Sequence, residues 1–336
     1  MAASKVDSRS IHFVSLGMVV LDELHLPNGE VLHDTVGGSG AYSTLGARLV
    51  TPPNDPPGVG CFIQAGRDFP DDIAARLRSW GIEVVLSIES EKLSTRGLLE
   101  YHDEAFGHKS FRYVTAPLQP TPSALPARFL ASTAFHILSS PENLAAQTDS
   151  LLDLRAGLPT RPLIVWEPLP GKCTPEQFDS HVAACGSVDV FSPNHLEALA
   201  LCGQNTARFD KSTIEACAAR ILAQLQSSAT KLIVIRAGEH GCFVSGNETK
   251  FWLPPFFTSG AKIIDATGGG NTFLGAFTMA YGLYRDIRRA SIEATVAASF
   301  AIEQIGLPTR TTTPDSAELW NGASFPERLR QYQERI

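Results

Sequence analysis

The sequence contains no apolar run approaching the roughly 18–20 residues that span a bilayer as a helix. Its cysteines, Cys61, Cys173, Cys185, Cys202, Cys217 and Cys242, include no C-x-x-C pair and no metal-ligand spacing. In a chain of this length they read as reduced, largely buried thiols and not as a disulfide framework or a zinc module. Basic charge is not in excess: 28 Lys and Arg stand against 35 Asp and Glu, a net charge of −7 that argues against a dedicated nucleic-acid binder. Charged residues make up only 19% of the chain and apolar ones 43%, which excludes coiled-coil, collagen-like and wholly disordered classes. There is no internal repeat.

What is present is a mildly acidic chain of 336 residues, enough for one large α/β domain or two ordinary ones, each able to bury a core. Lys5 and Arg9 ahead of the apolar run Phe13–Leu21 outline a signal peptide only faintly. Asp22 and Glu23 follow at once with no small-residue cleavage site, so Ile11–Leu21 is read as a first strand and the protein is expected in the cytoplasm. His12, His25, His33 and His102 lack metal spacing and are expected to be ordinary histidines.

Strand-like and helix-like segments then alternate. Strands are expected at Cys61–Ala65, Val84–Ile88, Ala134–Leu138, Leu163–Glu167, Val188–Phe191 and Lys231–Arg236. Helices are expected at Gly40–Leu49, Phe69–Trp80, Pro175–Ala184, His195–Cys202 and Thr213–Gln226. Asp71 and Asp72 open the helix that follows Pro70. Such alternation implies parallel pairing, helices on both faces and right-handed crossovers, hence a doubly wound, mainly parallel sheet. Ser94–Thr115 breaks the rhythm with two alternating runs around Glu104–His108, an antiparallel hairpin that either forms a lid or extends a sheet edge. Thr51–Pro57 and Pro117–Pro126 are proline-rich loops, too short to be interdomain linkers. The whole of 1–336 is therefore read as one domain with a lid near 94–115 and a tail over 311–336, which ends in a surface helix at Glu327–Ile336.

Three segments carry candidate chemistry. In Ile263–Phe277 a strand is expected to end at Asp265, with a helix beginning near Asn271. Between them Thr267, Gly268, Gly269 and Gly270 form a turn that either makes a tight connection or offers free amides to an anion at a helix N-terminus. The spacing matches neither a P-loop nor a dinucleotide fingerprint. In Val36–Ala47, Gly37, Gly38 and Gly40 precede a helix of small residues and allow close approach of a ligand, or simply connect two elements. In Asn194-His195-Leu196-Glu197, Asn194 is a natural N-cap with Glu197 in the first turn; the same pair could hold a hydrated Mg²⁺.

Taken in this order, the segments LGMVVLDEL, GGSGAYSTLGARL, QAGRD, PNHLE, RAGEHG and DATGGGNTF resemble the ribokinase-like (PfkB) carbohydrate kinase family across roughly residues 11–310. The resemblance implies an α/β sandwich with a small β lid and transfer of the ATP γ-phosphate to an alcohol, with Mg²⁺ on the phosphates. It implies that Asp22 accepts bonds from substrate hydroxyls and that the backbone of Gly37 and Gly38 lies against the substrate. Asn194 and Glu197 would organise Mg²⁺ and phosphate, while Arg236, Gly238 and Gly241, with Thr267, would lie beside the nucleotide. Gly268, Gly269 and Gly270 would stabilise the transferring phosphoryl group, and Asp265 would stand where some members bind a monovalent cation.

Two departures stand out. The family signature is close to D-T-x-G-A-G-D, and here Asp265-Ala266-Thr267-Gly268-Gly269-Gly270 ends in Asn271. An amide has no basic lone pair at neutral pH, so Asn271 cannot take the proton of an attacking hydroxyl, a role worth about 10²–10⁴ in rate. Phosphoryl transfer rests chiefly on positioning and electrostatics, so slowing follows and not certain loss. Tyr42 stands where many sugar kinases carry Asn, which points to an altered or aromatic ligand or a blocked pocket. Three readings follow: a slow or altered kinase acting on a sugar, nucleoside or related alcohol; an impaired kinase-fold protein that binds nucleotide or a small ligand as sensor, scaffold or partner subunit; or a fold recruited for other chemistry. The aromatic residues of the lid also raise pairing of two copies through it as an expectation.

Overall fold

The structure, a computed structural model, describes residues 10–51, 58–103, 109–225, 232–246, 248–259 and 262–336. Its main sheet is built from β1 (Ile11–Ser15), β4 (Gly58–Gly66), β5 (Glu83–Glu89), β8 (Ala134–Ser139), β9 (Leu163–Pro168), β10 (Val190–Phe191), β11 (Leu232–Arg236), β12 (Cys242–Gly246) and β13 (Thr249–Leu253). The spatial order of its nine strands is β13-β12-β11-β10-β9-β8-β1-β4-β5. Every pair from β11 to β5 is parallel, and β12 and β13 add an antiparallel edge. The expected doubly wound sheet is therefore what the chain forms.

The central strands β1, β8, β9, β10 and β11 are largely apolar because both faces are covered, as parallel sheets require. Alternate side chains enter opposite layers: Phe13 and Val165 join one core, Val14, Ile164 and Trp166 the other. The first layer packs under α1 (Gly38–Leu49), α2 (Asp71–Arg78), α8 (Gly269–Tyr284) and α9 (Ile287–Ala301). The second packs under α4 (Pro141–Leu154), α5 (Phe178–Ala184), α6 (His195–Leu201) and α7 (Lys211–Gln224), while the single turn α3 (Ala127–Leu130) inserts Phe129 there. α1 and α8 touch backbone to backbone: a Cβ on Gly46 would lie 1.9 Å from the Thr272 carbonyl oxygen, and one on Gly275 1.8 Å from that of Ser43. The small residues of α1 are thus a packing requirement that fixes where α8 begins.

Several expectations need correction. Ile11–Leu21 is not one strand. After β1 the chain turns at residues 16–19, where Gly17 lies against Ser39 and Gly40, and then enters a second sheet. That sheet contains β2 (Val20–His25), β3 (Val31–Gly37), β6 (Arg96–Tyr101) and β7 (Lys109–Tyr113) in the order β3-β2-β6-β7. Thus β6 and β7 do form the hairpin read at 94–115, with its 104–108 turn outside the described residues, but they are half of a larger lid. The signal for the other half was Asn28-Gly29 between two alternating runs, with Gly29 at φ 86°. Ile263–Asp265 is not a strand either: the amides of Ile264 and Asp265 both bond the Ile302 carbonyl at the end of α9, away from any sheet edge.

The C-terminal segment belongs to the core. β14 (Arg310–Thr312) pairs with β15 (Glu318–Trp320), and Trp320 is buried edge-on against Trp80 at 5.5 Å. α10 (Phe325–Gln333) lies at the surface as expected, but it buries Tyr332. The fixing interaction is Arg48 on α1, 2% exposed, whose Nη2 donates to Glu318 Oε1 at 2.5 Å. Removing one partner of a buried pair leaves the other charge uncompensated. Glu318→Ala should therefore lower the unfolding free energy by about 3 kcal/mol in denaturant titration. A change within ~0.5 kcal/mol would show that the tail is a dispensable appendage.

Candidate active site

The C-terminal ends of parallel strands are where open α/β sheets present ligands to solvent. Here three such ends bring polar groups together. β9 ends in Trp-Glu-Pro and places Glu167; β11 ends at Arg236; the turn after β10 places Asn194 at the N-terminus of α6. Glu167 Oε1 accepts from Arg236 Nη1 at 2.9 Å, and Glu167 Oε2 accepts from His136 Nε2 at 3.1 Å and from Asn271 Nδ2 at 2.7 Å. Arg236 Nη2 donates to the Ser192 carbonyl at 3.0 Å and approaches Glu197 Oε2 at 3.7 Å. Burial alone would push the Glu167 carboxyl up, but Arg236 and His136 outweigh it and hold it below the ordinary carboxylate range.

Asn194 and Glu197 form a reciprocal capping box. The Asn194 side chain accepts from the Glu197 amide at 2.8 Å, and Glu197 Oε2 accepts from the Asn194 amide at 2.7 Å. Burial raises the Glu197 carboxyl, against the opposing pull of Arg236 and the Asn194 amide. Its Oε1 takes no bond from the described residues, so this acid fits a hydrated Mg²⁺ through one oxygen while the other stays on the helix cap.

The glycine turn lies across the cleft. Gly268 caps α8 in the left-handed region at φ 78°, and a Cβ there would lie 2.3 Å from the Tyr42 ring. The helix therefore starts at Gly269, ahead of the expected Asn271. The amides of Gly270 and Asn271 donate to no acceptor among the described residues, and the Arg236 guanidinium lies against Gly270. Free amides, the positive end of a 16-residue helix and a guanidinium make an anion cradle.

Asp265, Thr267 and Tyr42 stand on the lid side of this turn. Both Asp265 oxygens are engaged. Oδ1 accepts from the Thr267 amide at 2.9 Å, from Thr267 Oγ1 at 2.7 Å and from Lys109 Nζ at 3.4 Å. Oδ2 accepts from Tyr101 Oη at 2.6 Å, and Lys109 also donates to Thr267 Oγ1. A carboxylate so saturated by protein donors, one of them an ammonium, does not fit a monovalent cation. Tyr42 is buried between α1 and the turn; burial, then Asp265 and Asp22, push its phenol up.

Asp22 lies within lid strand β2, opposite Thr35 of β3 and Gly97 of β6, and not at the end of the first strand. A Cβ on Gly37 would lie 2.0 Å from Asp22 Oδ2, and one on Gly97 2.3 Å from Oδ1. Asp22 Oδ1 is buried without a hydrogen-bond partner among the described residues, and burial pushes the carboxyl up to about 7. Gly38 begins α1 immediately after Gly37. On the other flank, a cleft of about 520 Å³ is lined by Arg236, Gly238, Gly241, Phe256, Gly269 and Ile302, among others.

A model of the pfkB family carbohydrate kinases matches residues 23–314. The chain belongs to that family. An uncharacterised protein of Schizosaccharomyces pombe is 31% identical over 97% of this chain and 94% of its own. Protein MAK32 of Saccharomyces cerevisiae is 28% identical over 95% of this chain and 91% of its own. A ribokinase from Giardia lamblia superposes with a TM-score of 0.70 at 18% identity, over 97% of this chain and 99% of that one, which shows the shared fold. No helix among the described residues of this pfkB-family chain is long and apolar enough to cross a membrane.

The site residues read from sequence fall into two groups. Asn194, Glu197, Arg236, Gly270 and Asn271 meet around Glu167, while Asp22, Gly37, Tyr42, Gly268 and Asp265 gather under the lid. Glu167 itself escaped the reading, although LIVWE and LIVIR are two apolar strands that each end in one charge of opposite sign. Asp22 yields a direct test. Its folded pKa is raised, so its contribution is fully present at low pH and is lost as pH rises through about 7. Asp22→Asn should gain on the wild type by of order 3 kcal/mol between about pH 4 and pH 8 in thermal or chemical unfolding. A pH-independent difference would contradict the burial of this carboxyl.

Proposed function

We propose that the protein is an ATP-dependent phosphotransferase acting on an alcohol group of a sugar, nucleoside or related compound, with transfer slowed at the proton-removal step. The carrying observation is the pair of free amides of Gly270 and Asn271 at the N-terminus of α8, where Gly270 lines the Arg236–Gly241 cleft. On this reading those amides and Arg236 would hold phosphate oxygens, Glu197 would hold a hydrated Mg²⁺, and Gly238 and Gly241 would lie beside the nucleotide, while Thr267 stays on the lid side with Asp265. Mg²⁺ would supply shielding of the phosphate charge. Asp22 would accept a bond from the acceptor's hydroxyls, with Gly37 and Gly38 beneath it and Tyr42 limiting its size. Asn271 orients the attacking hydroxyl without taking its proton.

A second reading, a nucleotide-binding protein without turnover, draws on the same residue. Asn271 spends its amide nitrogen on Glu167, and no free carboxylate stands beside the glycine turn among the described residues. Calorimetry with Mg·ATP and an ATP-consumption assay over sugars and nucleosides separate the two. The kinase reading expects saturable Mg·ATP binding and turnover about 10²–10⁴-fold below ordinary kinase rates. Gly268→Ala, strained and pressed on Tyr42, should weaken Mg·ATP binding by about tenfold or more, ~1.4 kcal/mol. Ordinary rates would overturn the slowed step, and a failure to bind nucleotide would overturn the anion cradle.

A further inference from the structure

Glu167 is the buried hub of the strand-end cluster, and the direction of every proton around it can be worked out. A carboxylate oxygen can only accept, so the proton between His136 Nε2 and Glu167 Oε2 at 3.1 Å sits on His136. Nδ1 of a neutral His136 then accepts from the Ser15 hydroxyl at 2.9 Å, and that hydroxyl oxygen accepts from the Gly17 amide at 3.0 Å. The same oxygen faces Asn271 at 2.7 Å, and the other faces Arg236. A carboxylate offers only acceptors, so residue 271 must turn its –NH₂ inward. That leaves Oδ1 as the one side-chain acceptor that Asn271 can present to a ligand.

We propose that Glu167 is a positioning residue for Asn271: it holds the site's buried negative charge and sets residue 271 as an oriented amide with its carbonyl oxygen toward the acceptor. The catalytic consequence rests on the kinase reading above, while the coupling between the two side chains does not. The charged and titratable groups facing Glu167 are Arg236 from β11, His136 from β8 and, beyond Arg236, Glu197 from α6. Among the described residues only Arg236 brings a fixed positive charge to Glu167, and it is already shared with Glu197. A carboxylate placed at 271 would therefore meet a second one at hydrogen-bond distance with no cation left to separate them. Asn271→Asp alone is thus not a route to a working base. Exchanging both residues keeps the charge count: Gln at 167 can donate to Asp at 271 and still accept from Arg236, with His136 changing tautomer.

The experiment compares the wild type, Asn271→Asp and Glu167→Gln/Asn271→Asp. Melting temperature and Mg·ATP turnover are measured on the full chain. Asn271→Asp is expected to lose about 5 °C or more, and the double variant to recover more than half of that loss. Where turnover is measurable, kcat should rise in the double variant above Asn271→Asp, with KM for ATP unchanged. An Asn271→Asp protein as stable as the wild type would overturn the proposal. So would a double variant less stable than Asn271→Asp, or one that fails to fold where the single variant folds. Equal non-zero kcat in the two variants would also overturn it. Turnover absent from every variant counts against the kinase reading, while the stability comparison still decides the proposal.

Discussion

The site depends on burying the Glu167–Arg236 ion pair at the ends of two apolar strands. Taking two charges out of water costs several kcal/mol per ion, and the pair survives only if the remaining lone pairs and protons find partners. Here most of them come from four directions: His136 on β8, the Ser192 carbonyl after β10, Asn271 on α8 and, more distantly, Glu197 on α6, while Arg236 Nε is left without a partner among the described residues. Each partner belongs to a different element, so satisfying one ion pair ties the strand ends to the helix that carries the anion cradle. Polar networks of this kind are tolerated only when nearly complete, which makes the exact orientation of each donor a structural constraint.

The second constraint is steric. α8 can deliver its free amides to the cleft only because Gly46 and Gly275 let it lie on α1 at backbone contact, and because Gly268 turns into it at positive φ. Tyr42 rises from α1 into the space beneath that turn and so couples the helix pair to the ligand side. The lid closes the same region from above: Tyr101 and Lys109 reach from β6 and β7 to Asp265 and Thr267. In consequence Asp265 serves as an anchor joining the lid to the glycine turn.

Much of this was legible from sequence because it is local. Alternation of strands and helices fixes the sheet, the Asn194–Glu197 spacing fixes a capping box, and the glycine triplet marks a helix start. The resemblance added the grouping of Asp22, Tyr42 and the glycine turn. What could not be read depends on packing. Whether Ile263–Asp265 joins a sheet is settled by the Ile302 carbonyl, and whether the tail is an appendage is settled by Arg48 and Glu318. Glu167 was hidden for the same reason: a single acid after an apolar strand has no meaning until Arg236, His136 and Asn271 arrive from other elements. The change at 271 looked like a lost base in sequence. In three dimensions it is half of a pair.

The central claim is that the N-terminus of α8 binds the phosphates of a nucleotide. Backbone amide resonances of Gly268, Gly269, Gly270 and Asn271, followed during titration with Mg²⁺ and a non-hydrolysable ATP analogue, test it directly. The account predicts saturable shifts concentrated at Gly270 and Asn271, the amides that lack an acceptor among the described residues. Binding that leaves these resonances unmoved, or no binding at all, would contradict it.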